Sequence, residues 1–184
     1  MKKRILFYSL LASFGLAFGV PQVSADAAAD AEKEKAMKNP YPNDLGPSTV
    51  DVSQYSPEAQ QGYKLMQDKC AKCHTPARPL NSQFLDLKAD EIAKAKASNP
   101  EMFKDKLVWQ VEDGIWQRYV KRMMAKPGCN ISSEQGKKIW KFIVEDSKKR
   151  KTGAAAAGWA AHRKKLLSDF KEKYPARHKE LFEK

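Results

Sequence analysis

The sequence has little glycine, proline and cysteine for its length. Nine Gly, ten Pro and three Cys among 184 residues exclude a collagen-like, fibrous or disulfide-dense protein. An internal repeat and any sustained alternation of polar and apolar residues are also missing, so we predict no strand-rich fold. The composition, 42% hydrophobic and 30% charged, is instead typical of one compact domain with appendages.

Long apolar runs are confined to the N-terminus. Three basic residues precede an apolar run from Ile5 to Val20, and Val23-Ser24-Ala25 then supplies the small residues that a signal peptidase reads. We therefore predict a signal peptide at residues 1–25, cleaved after Ala25, and a periplasmic mature protein. An uncleaved membrane anchor is the alternative, but the run is short for a bilayer.

Capping signals place the two main helices of the mature chain. Ser56-Pro57-Glu58 combines an N-cap hydroxyl, a proline in the first turn and an acid, and it predicts a helix to about Lys69. The residues from Ser132 to Gln135 form a capping box that opens a helix ending near Ser147. Gly62, in the middle of the first helix, suggests that another element approaches closely there.

The remaining segments complete an all-α organisation. Residues 26–55 combine low apolar content with clustered helix breakers, and we predict a flexible leader without regular structure. Residues 56–151 form the domain, with further helices predicted over Leu87 to Ala97 and from Asn99 to Ile115. Residues 152–184 are predicted to be a basic helical C-terminal extension, which Pro175 divides.

The motif that carries chemistry is Cys70-Ala71-Lys72-Cys73-His74. Two thiols at this spacing can add across the two vinyl groups of one porphyrin edge, and the adjacent imidazole then reaches the iron. A zinc site would require a second compact pair of ligands, and a redox dithiol would normally precede a helix in a βαβ unit; the sequence shows neither pattern. A structural disulfide stays open in an exported protein. The motif predicts one haem c held covalently by Cys70 and Cys73, with His74 as an iron ligand.

From Gln61 to Arg150 the chain resembles the class I monohaem c-type cytochromes, on the haem motif, on Gly62-Tyr63 and Trp140, and on the segment from Tyr119 to Gly128. In that family the first helix crosses the last one at a glycine and aromatic residues. The resemblance implies a small cytochrome c domain around one haem. It also implies a methionine before the last helix as the second axial ligand.

Two adjacent methionines occupy the position of that second ligand. Met123 and Met124 point in different directions, so both cannot bind iron. We favour Met123 because Val-x-Arg-Met before a Pro-Gly loop resembles related cytochromes; Met124 and an open site remain alternatives. Met66 and Met102 are predicted to fill core space. His162 and His178 lie beyond the expected domain and are interpreted as surface residues.

Other residues allow two readings each. Trp109, Trp116 and Tyr119 either wall the haem or serve as ordinary core aromatics. Cys129, the third thiol, is predicted to be buried, with an intermolecular bridge as the alternative. No arrangement of Cys, His and Asp argues for catalysis.

The resulting hypothesis is a monomeric electron carrier rather than an enzyme. Iron would cycle between Fe(III) and Fe(II) without exchanging a ligand or a proton. One alternative is a cytochrome subunit of a larger redox complex. Another is a haem enzyme or gas-binding protein with an open sixth site.

Acidic residues are scarce in the C-terminal part of the chain. Residues 148–184 contain twelve Lys or Arg and four Asp or Glu, so they carry a net charge of +8. This excess would suit a redox partner protein with an acidic docking surface. A solvated helix that only packs on the domain and contact with an anionic membrane surface are the alternatives. Export makes nucleic acid an unsuitable partner.

Overall fold

The structure, a computed structural model, describes residues 25–85, 89–98, 108–110 and 113–183. Its α-helices are α1 (Ala25–Lys38), α2 (Pro57–Lys69), α3 (Ala77–Leu80), α4 (Ala89–Ser98), α5 (Asp113–Met124), α6 (Ser133–Lys151), α7 (Ala156–Lys173) and α8 (Pro175–Phe182). Short 3-10 helices span Pro42–Leu45, Cys70–Lys72 and Gly153–Ala155, and a parallel pair joins β1 (Gln83–Leu85) to β2 (Val108–Gln110). The predicted all-α fold is confirmed, with that three-residue ladder added among the described residues. Apart from Ala25, the predicted signal peptide lies outside them.

Side-chain caps start the two main helices. The Ser56 hydroxyl accepts a hydrogen bond from the Ala59 N–H at 3.2 Å. At α6, the Ser132 hydroxyl accepts from the Gln135 N–H at 3.2 Å, and the Gln135 side chain accepts from the Ser132 N–H at 2.9 Å. These bonds satisfy N–H groups that a helix start leaves without partners. Both predicted helix starts are confirmed.

Helix α6 ends at Lys151, four residues beyond the predicted end at Ser147. Its last turn consists of four basic residues, of which Arg150 and Lys151 pack inward while Lys148 and Lys149 are exposed. Arg150 donates to the Asp146 carboxylate at 2.6 Å and to the Leu80 carbonyl oxygen at 2.9 Å. Lys151 is 3% exposed. The helix continues through this run of basic residues because Arg150 and Lys151 find hydrogen-bond acceptors within the fold.

The hydrophobic core lies where α2, α5 and α6 meet. Met66 is completely buried in it, as predicted for a methionine that fills core space. The other buried members are Ala59, Leu80, Trp116, Tyr119, Val120, Ile139, Phe142 and Ile143. This core fixes the mutual placement of the three helices that also surround the candidate site.

Helices α2 and α6 cross at Gly62. A Cβ atom there would overlap the Lys138 carbonyl oxygen and lie 2.8 Å from Phe142 Cβ. The Tyr63 ring packs on Phe142 with 5.2 Å between ring centroids. The predicted close approach at Gly62 is confirmed. Phe142 is an aromatic side chain at this crossing that the sequence analysis did not name, and the predicted Trp140 packs against the same core.

Gly62→Ala is expected to lower the free energy of unfolding by roughly 1–3 kcal/mol or more, because its methyl group would push the α6 backbone away. Gly158→Ala is the matched control. No heavy atom lies within 4 Å of a Cβ at Gly158 in α7, so alanine there should add about 0.5–1 kcal/mol. Urea denaturation followed by circular dichroism measures both. Equal stability of the two variants would contradict the close crossing.

The leader contains regular structure, contrary to the expectation of none. Helix α1 covers residues 25–38, whose Ala, Glu and Lys have high helix propensity. The 3-10 helix Pro42–Leu45 follows, and the Asp44 carboxylate accepts from the Tyr41 N–H at 2.9 Å. The local capping chemistry outweighs the breakers on which the expectation rested.

The helix predicted from Asn99 to Ile115 is corrected at its C-terminal end. Residues 108–110 form β2, and α5 begins only at Asp113. Val-Trp-Gln suits a strand because β-branched and aromatic side chains favour one, and it pairs in parallel with β1, Gln83 opposite Val108. Residues 99–107 lie outside the described ranges. The helix predicted from Leu87 to Ala97 corresponds to α4.

The C-terminal extension packs on the domain through one face of α7. The residues buried along this face are Trp159, Arg163, Leu166 and Phe170. The Trp159 indole N–H donates to the Gln83 side chain at 3.1 Å. Pro175 separates α7 from α8, as predicted. Within the described ranges, no helix is both long and apolar enough to cross a membrane.

Candidate haem site

Helix α2 leads directly into the Cys-x-x-Cys-His motif. The helix ends at Lys69, and the chain continues in the 3-10 turn Cys70–Lys72. The Cys70 carbonyl oxygen accepts from the N–H groups of Cys73 at 3.4 Å and His74 at 3.3 Å. One turn of backbone therefore holds both thiols and the imidazole.

The His74 imidazole is 8% exposed. Its Nδ1 lies 2.9 Å from the Thr75 carbonyl oxygen. Because a carbonyl oxygen only accepts, Nδ1 carries the proton of this hydrogen bond, and the lone pair of the neutral ring is on Nε2. Burial lowers the pKa of His74. The neutral ring that metal ligation requires is therefore favoured.

A cavity of about 400 Å³ lies against His74. This volume is in the range of small-molecule and cofactor sites, about 300–1,000 Å³. The described residues lining it are Tyr41, Asn43, His74, Arg78, Ser82, Tyr119, Arg122, Met123, Lys126, Leu181 and Phe182. A small apolar recess shares His74, Tyr119 and Met123 with the cavity. Its other lining residues are Cys70, Pro79, Val120, Ile131, Ile139 and Ile143.

Met123 and Met124 differ in what they contact. Met123 lines both the cavity and the recess, as His74 does. Met124 packs against α6, where a Cβ atom at Gly136 would lie 2.5 Å from the Met124 sulfur. The two side chains leave α5 in different directions, as predicted for adjacent residues.

The predicted aromatic wall is formed in part by Tyr119. Tyr119 lines the cavity, and burial raises the pKa of its phenol. Trp116 packs on Tyr119 edge to face, with 5.5 Å between ring centroids, and belongs to the core. The side chain of Trp109 lies outside the described residues.

The cysteines are half-buried, free thiols. Burial, with smaller contributions from Cys129 and Cys73, raises the pKa of Cys70 to about 12. Burial also raises the pKa values of Cys73 and Cys129. Reactive redox dithiols have lowered pKa values instead, so these environments do not match an activated redox dithiol. Sequence reasoning missed that Cys129 lies near the motif.

The residues present fit a haem. The cavity of about 400 Å³ provides space beside His74, and the small recess that adjoins it adds apolar side chains, with Cys70 among its lining residues. The described lining of the cavity includes three cations, Arg78, Arg122 and Lys126. Arg78 pairs with Asp44 at 2.6 Å and Lys126 lies 3.7 Å from Glu32, so both would meet the carboxylates of a haem as cations that already have an acidic neighbour. The buried Thr75 hydroxyl beside the motif has no hydrogen-bond partner in the described part of the chain. No group of three or more His, Cys, Asp or Glu side chains in that part is arranged to hold a metal ion.

The sequence analysis missed eight residues of the cavity as site residues: Arg78, Ser82, Arg122 and Lys126 of the domain, and four residues outside it. Tyr41 and Asn43 belong to the leader, and Leu181 and Phe182 belong to α8. The only signals were an aromatic residue among polar ones and an apolar pair in a charged helix. Two other candidates lie elsewhere: His162 Nε2 is 3.0 Å from Asn81 Oδ1, and His178 Nδ1 is 3.4 Å from the Glu183 carboxylate.

Comparison with known proteins gives one family match. Residues 57–143 match the family model described as Cytochrome C oxidase, cbb3-type, subunit III. No curated protein and no solved structure matches the chain. The matched region begins with α2, contains the haem motif and Met123, and ends within α6. Residues 57–143 are therefore a c-type cytochrome segment, a kind of domain that supports haem-based electron transfer.

Proposed function

We propose that this chain is a periplasmic electron-transfer protein with one haem c bound through thioethers to Cys70 and Cys73. His74 and Met123 are its axial ligands. When bound, the haem supplies a one-electron couple between Fe(III) and Fe(II). One observation carries the proposal: His74, from the turn after α2, and Met123, from α5, line the same cavity.

The residues around the cavity perform distinct tasks. The Thr75 carbonyl oxygen holds the Nδ1–H of His74, so Nε2 is presented in a fixed orientation. Met123 offers a neutral thioether, and Met/His ligation raises the reduction potential. The apolar side chains of the recess keep water away, which controls the local dielectric and with it the potential. In this proposal no residue acts as a catalytic acid, base or nucleophile.

Optical spectra of the exported protein test the proposal. We expect one haem per chain that stays attached after denaturation, a weak ferric band typical of a Met-sulfur–iron bond, and no spectral shift with carbon monoxide. A high-spin ferric spectrum or ready carbon monoxide binding would contradict the carrier proposal and favour a haem enzyme or gas-binding protein.

The attachment residues have a matched control. Cys70→Ser/Cys73→Ser is expected to lose all covalent haem, because no thioether can form. Cys129→Ser should keep one covalent haem per chain, since the third thiol is outside the motif. Haem staining after denaturing electrophoresis compares both variants with the unaltered protein: Cys129→Ser should stain like it, and the double variant should not stain. Covalent haem in the double variant would overturn the assignment.

A second candidate is a cytochrome subunit of a larger redox complex. The description of the matched family, which names an oxidase subunit, favours it. The haem chemistry would be the same, but the cytochrome would be fixed to its partner. A purified free monomer at physiological salt would speak against this candidate.

For the free carrier, we propose an acidic redox partner. Five lysines on the C-terminal helices are exposed: Lys164, Lys165, Lys171, Lys173 and Lys179. Clustered positive charge speeds encounter with a negatively charged surface. The inward contacts of Arg150, Lys151 and Arg163 remove three cations from this surface, so it is smaller than the sequence charge suggests.

A further inference from the structure

The cavity is completed by chain outside the cytochrome segment. Leu181 and Phe182 are half-buried residues at the end of α8, and both line it. Tyr41 and Asn43 of the leader line it too. The family match covers residues 57–143 and includes none of these four. The leader and the extension therefore meet at the place where the haem is proposed to bind.

Helix α8 is held at the cavity by the leader. The Arg177 guanidinium lies 5.3 Å from the centroid of the Tyr41 ring, and its Nε donates to the Pro40 carbonyl oxygen at 3.4 Å. Arg78, four residues after His74, lies 4.8 Å from the same ring centroid. Such cation–ring contacts are attractive at exposed sites and stronger when desolvated. Tyr41 thus connects α8 to the segment that follows the haem motif.

Helix α7 fixes the point from which α8 starts. The Arg163 guanidinium is 5% exposed and donates to Asn43 Oδ1 at 2.5 Å and to the Asn81 carbonyl oxygen at 2.8 Å. Trp159, Leu166 and Phe170 are buried on the same face of α7. Burial of an arginine requires such partners, and they are supplied by the leader and by the loop after α3. The extension is therefore packed against the domain and brings α8 to the cavity in a defined position.

We propose that Leu181 and Phe182 are part of the haem site and close one side of its cavity against water. This inference rests on the proposed function. An oxidised iron centre carries one more positive charge than a reduced one, so water near it stabilises the oxidised state more. Two apolar side chains that exclude water raise the reduction potential and restrict the access of small reagents to the haem.

The test uses the full-length holoprotein and the Leu181→Ala/Phe182→Ala variant. Haem content and the Met-sulfur–iron band should equal those of the unaltered protein. The reduction potential should fall, and the rate constant for oxidation of the ferrous haem by ferricyanide should rise several-fold, because the lower potential and the more open cavity both favour that reaction. Lys179→Ala is the control, because Lys179 is exposed on the same helix and does not line the cavity. It should change neither quantity.

The outcomes separate this inference from the proposed function. A potential and a rate constant equal to those of the Lys179→Ala control would overturn the inference and leave the carrier proposal intact. An unaltered protein without covalent haem would overturn the carrier proposal, and this inference with it. Phe182→Ala alone gives the same readouts should the double variant fail to accumulate.

Discussion

Met123→Ala is expected to abolish the Met-sulfur–iron band and to lower the reduction potential. Met123 lines the cavity together with His74, and its loss would open the sixth coordination position. Because Met/His ligation raises the potential, and axial ligands span roughly 0.8 V, a fall of roughly a few tenths of a volt is expected. The ferrous variant should also bind carbon monoxide. Optical spectra and spectroelectrochemistry measure all three changes.

Met124→Ala is the matched control for this prediction. It removes the same side chain one position further along α5, where the methionine sulfur packs at Gly136 instead of the cavity. Because Met124 is half-buried, a loss of packing should lower the free energy of unfolding by about 0.5–3 kcal/mol, while the band and the potential stay unchanged. Loss of the band in Met124→Ala, and its survival in Met123→Ala, would reverse the assignment.

Local patterns in the sequence were sufficient to predict the haem motif and the starts of the two main helices. Cys70, Cys73 and His74 are proposed as haem-binding residues from their spacing alone, because thioether attachment and ligation by the adjacent imidazole require that spacing. Ser56 and Ser132 gave the helix starts because an N-cap bonds to N–H groups two or three residues away. Such signals need no knowledge of distant parts of the chain.

The choice between Met123 and Met124 needed the fold. Adjacent residues on a helix point about 100° apart, as 3.6 residues make one turn. Which of them faces the cavity depends on how α5 is rotated against α6. That rotation is fixed by long-range packing, in which Met124 occupies the space left by Gly136. The resemblance favours Met123, and its place in the lining of the cavity beside His74 supports the same proposal.

The sequence alone did not predict that the leader and the C-terminal extension both contribute residues to the cavity. Many charges among few apolar residues read equally well as a solvated tail or as a packed helix. The difference lies in Arg163 and Lys151, whose charged ends meet carbonyl oxygens of Asn81 and Ser82 inside the fold. Long basic side chains can cover apolar surface and still satisfy their charged ends, so composition alone does not reveal their direction.

Lys151 is expected to make the protein more stable as the pH rises from about 7 towards 10.5. Its ammonium group donates to the Ser82 carbonyl oxygen at 2.9 Å and lies 4.9 Å and 5.5 Å from the ring centroids of Trp159 and Trp116. Burial lowers the pKa of Lys151 to about 7 from its ordinary value of 10.5. The neighbouring charge of Asp146 opposes this shift, whereas the charges of Arg150 and Arg163 add to it.

The direction of the pH effect follows from proton binding. Between these two pKa values the unfolded chain keeps the proton on Lys151 and the folded chain releases it. The free energy of unfolding therefore rises with pH across this window and is flat below it as far as this group is concerned. Each pKa unit is worth about 1.4 kcal/mol, so the total rise is on the order of a few kcal/mol.

Lys151→Met isolates this contribution from the other groups that titrate in the same window. Urea denaturation at several pH values should show that the free energy of unfolding of the unaltered protein increases relative to that of Lys151→Met as the pH rises above 7. Lys164→Met is the control, because Lys164 is exposed on α7 and should follow the unaltered protein. Parallel pH profiles for Lys151→Met and the unaltered protein would mean that the ammonium stays charged inside the fold. In that case the two indole rings and the Ser82 carbonyl oxygen would have to offset the whole cost of burying the charge.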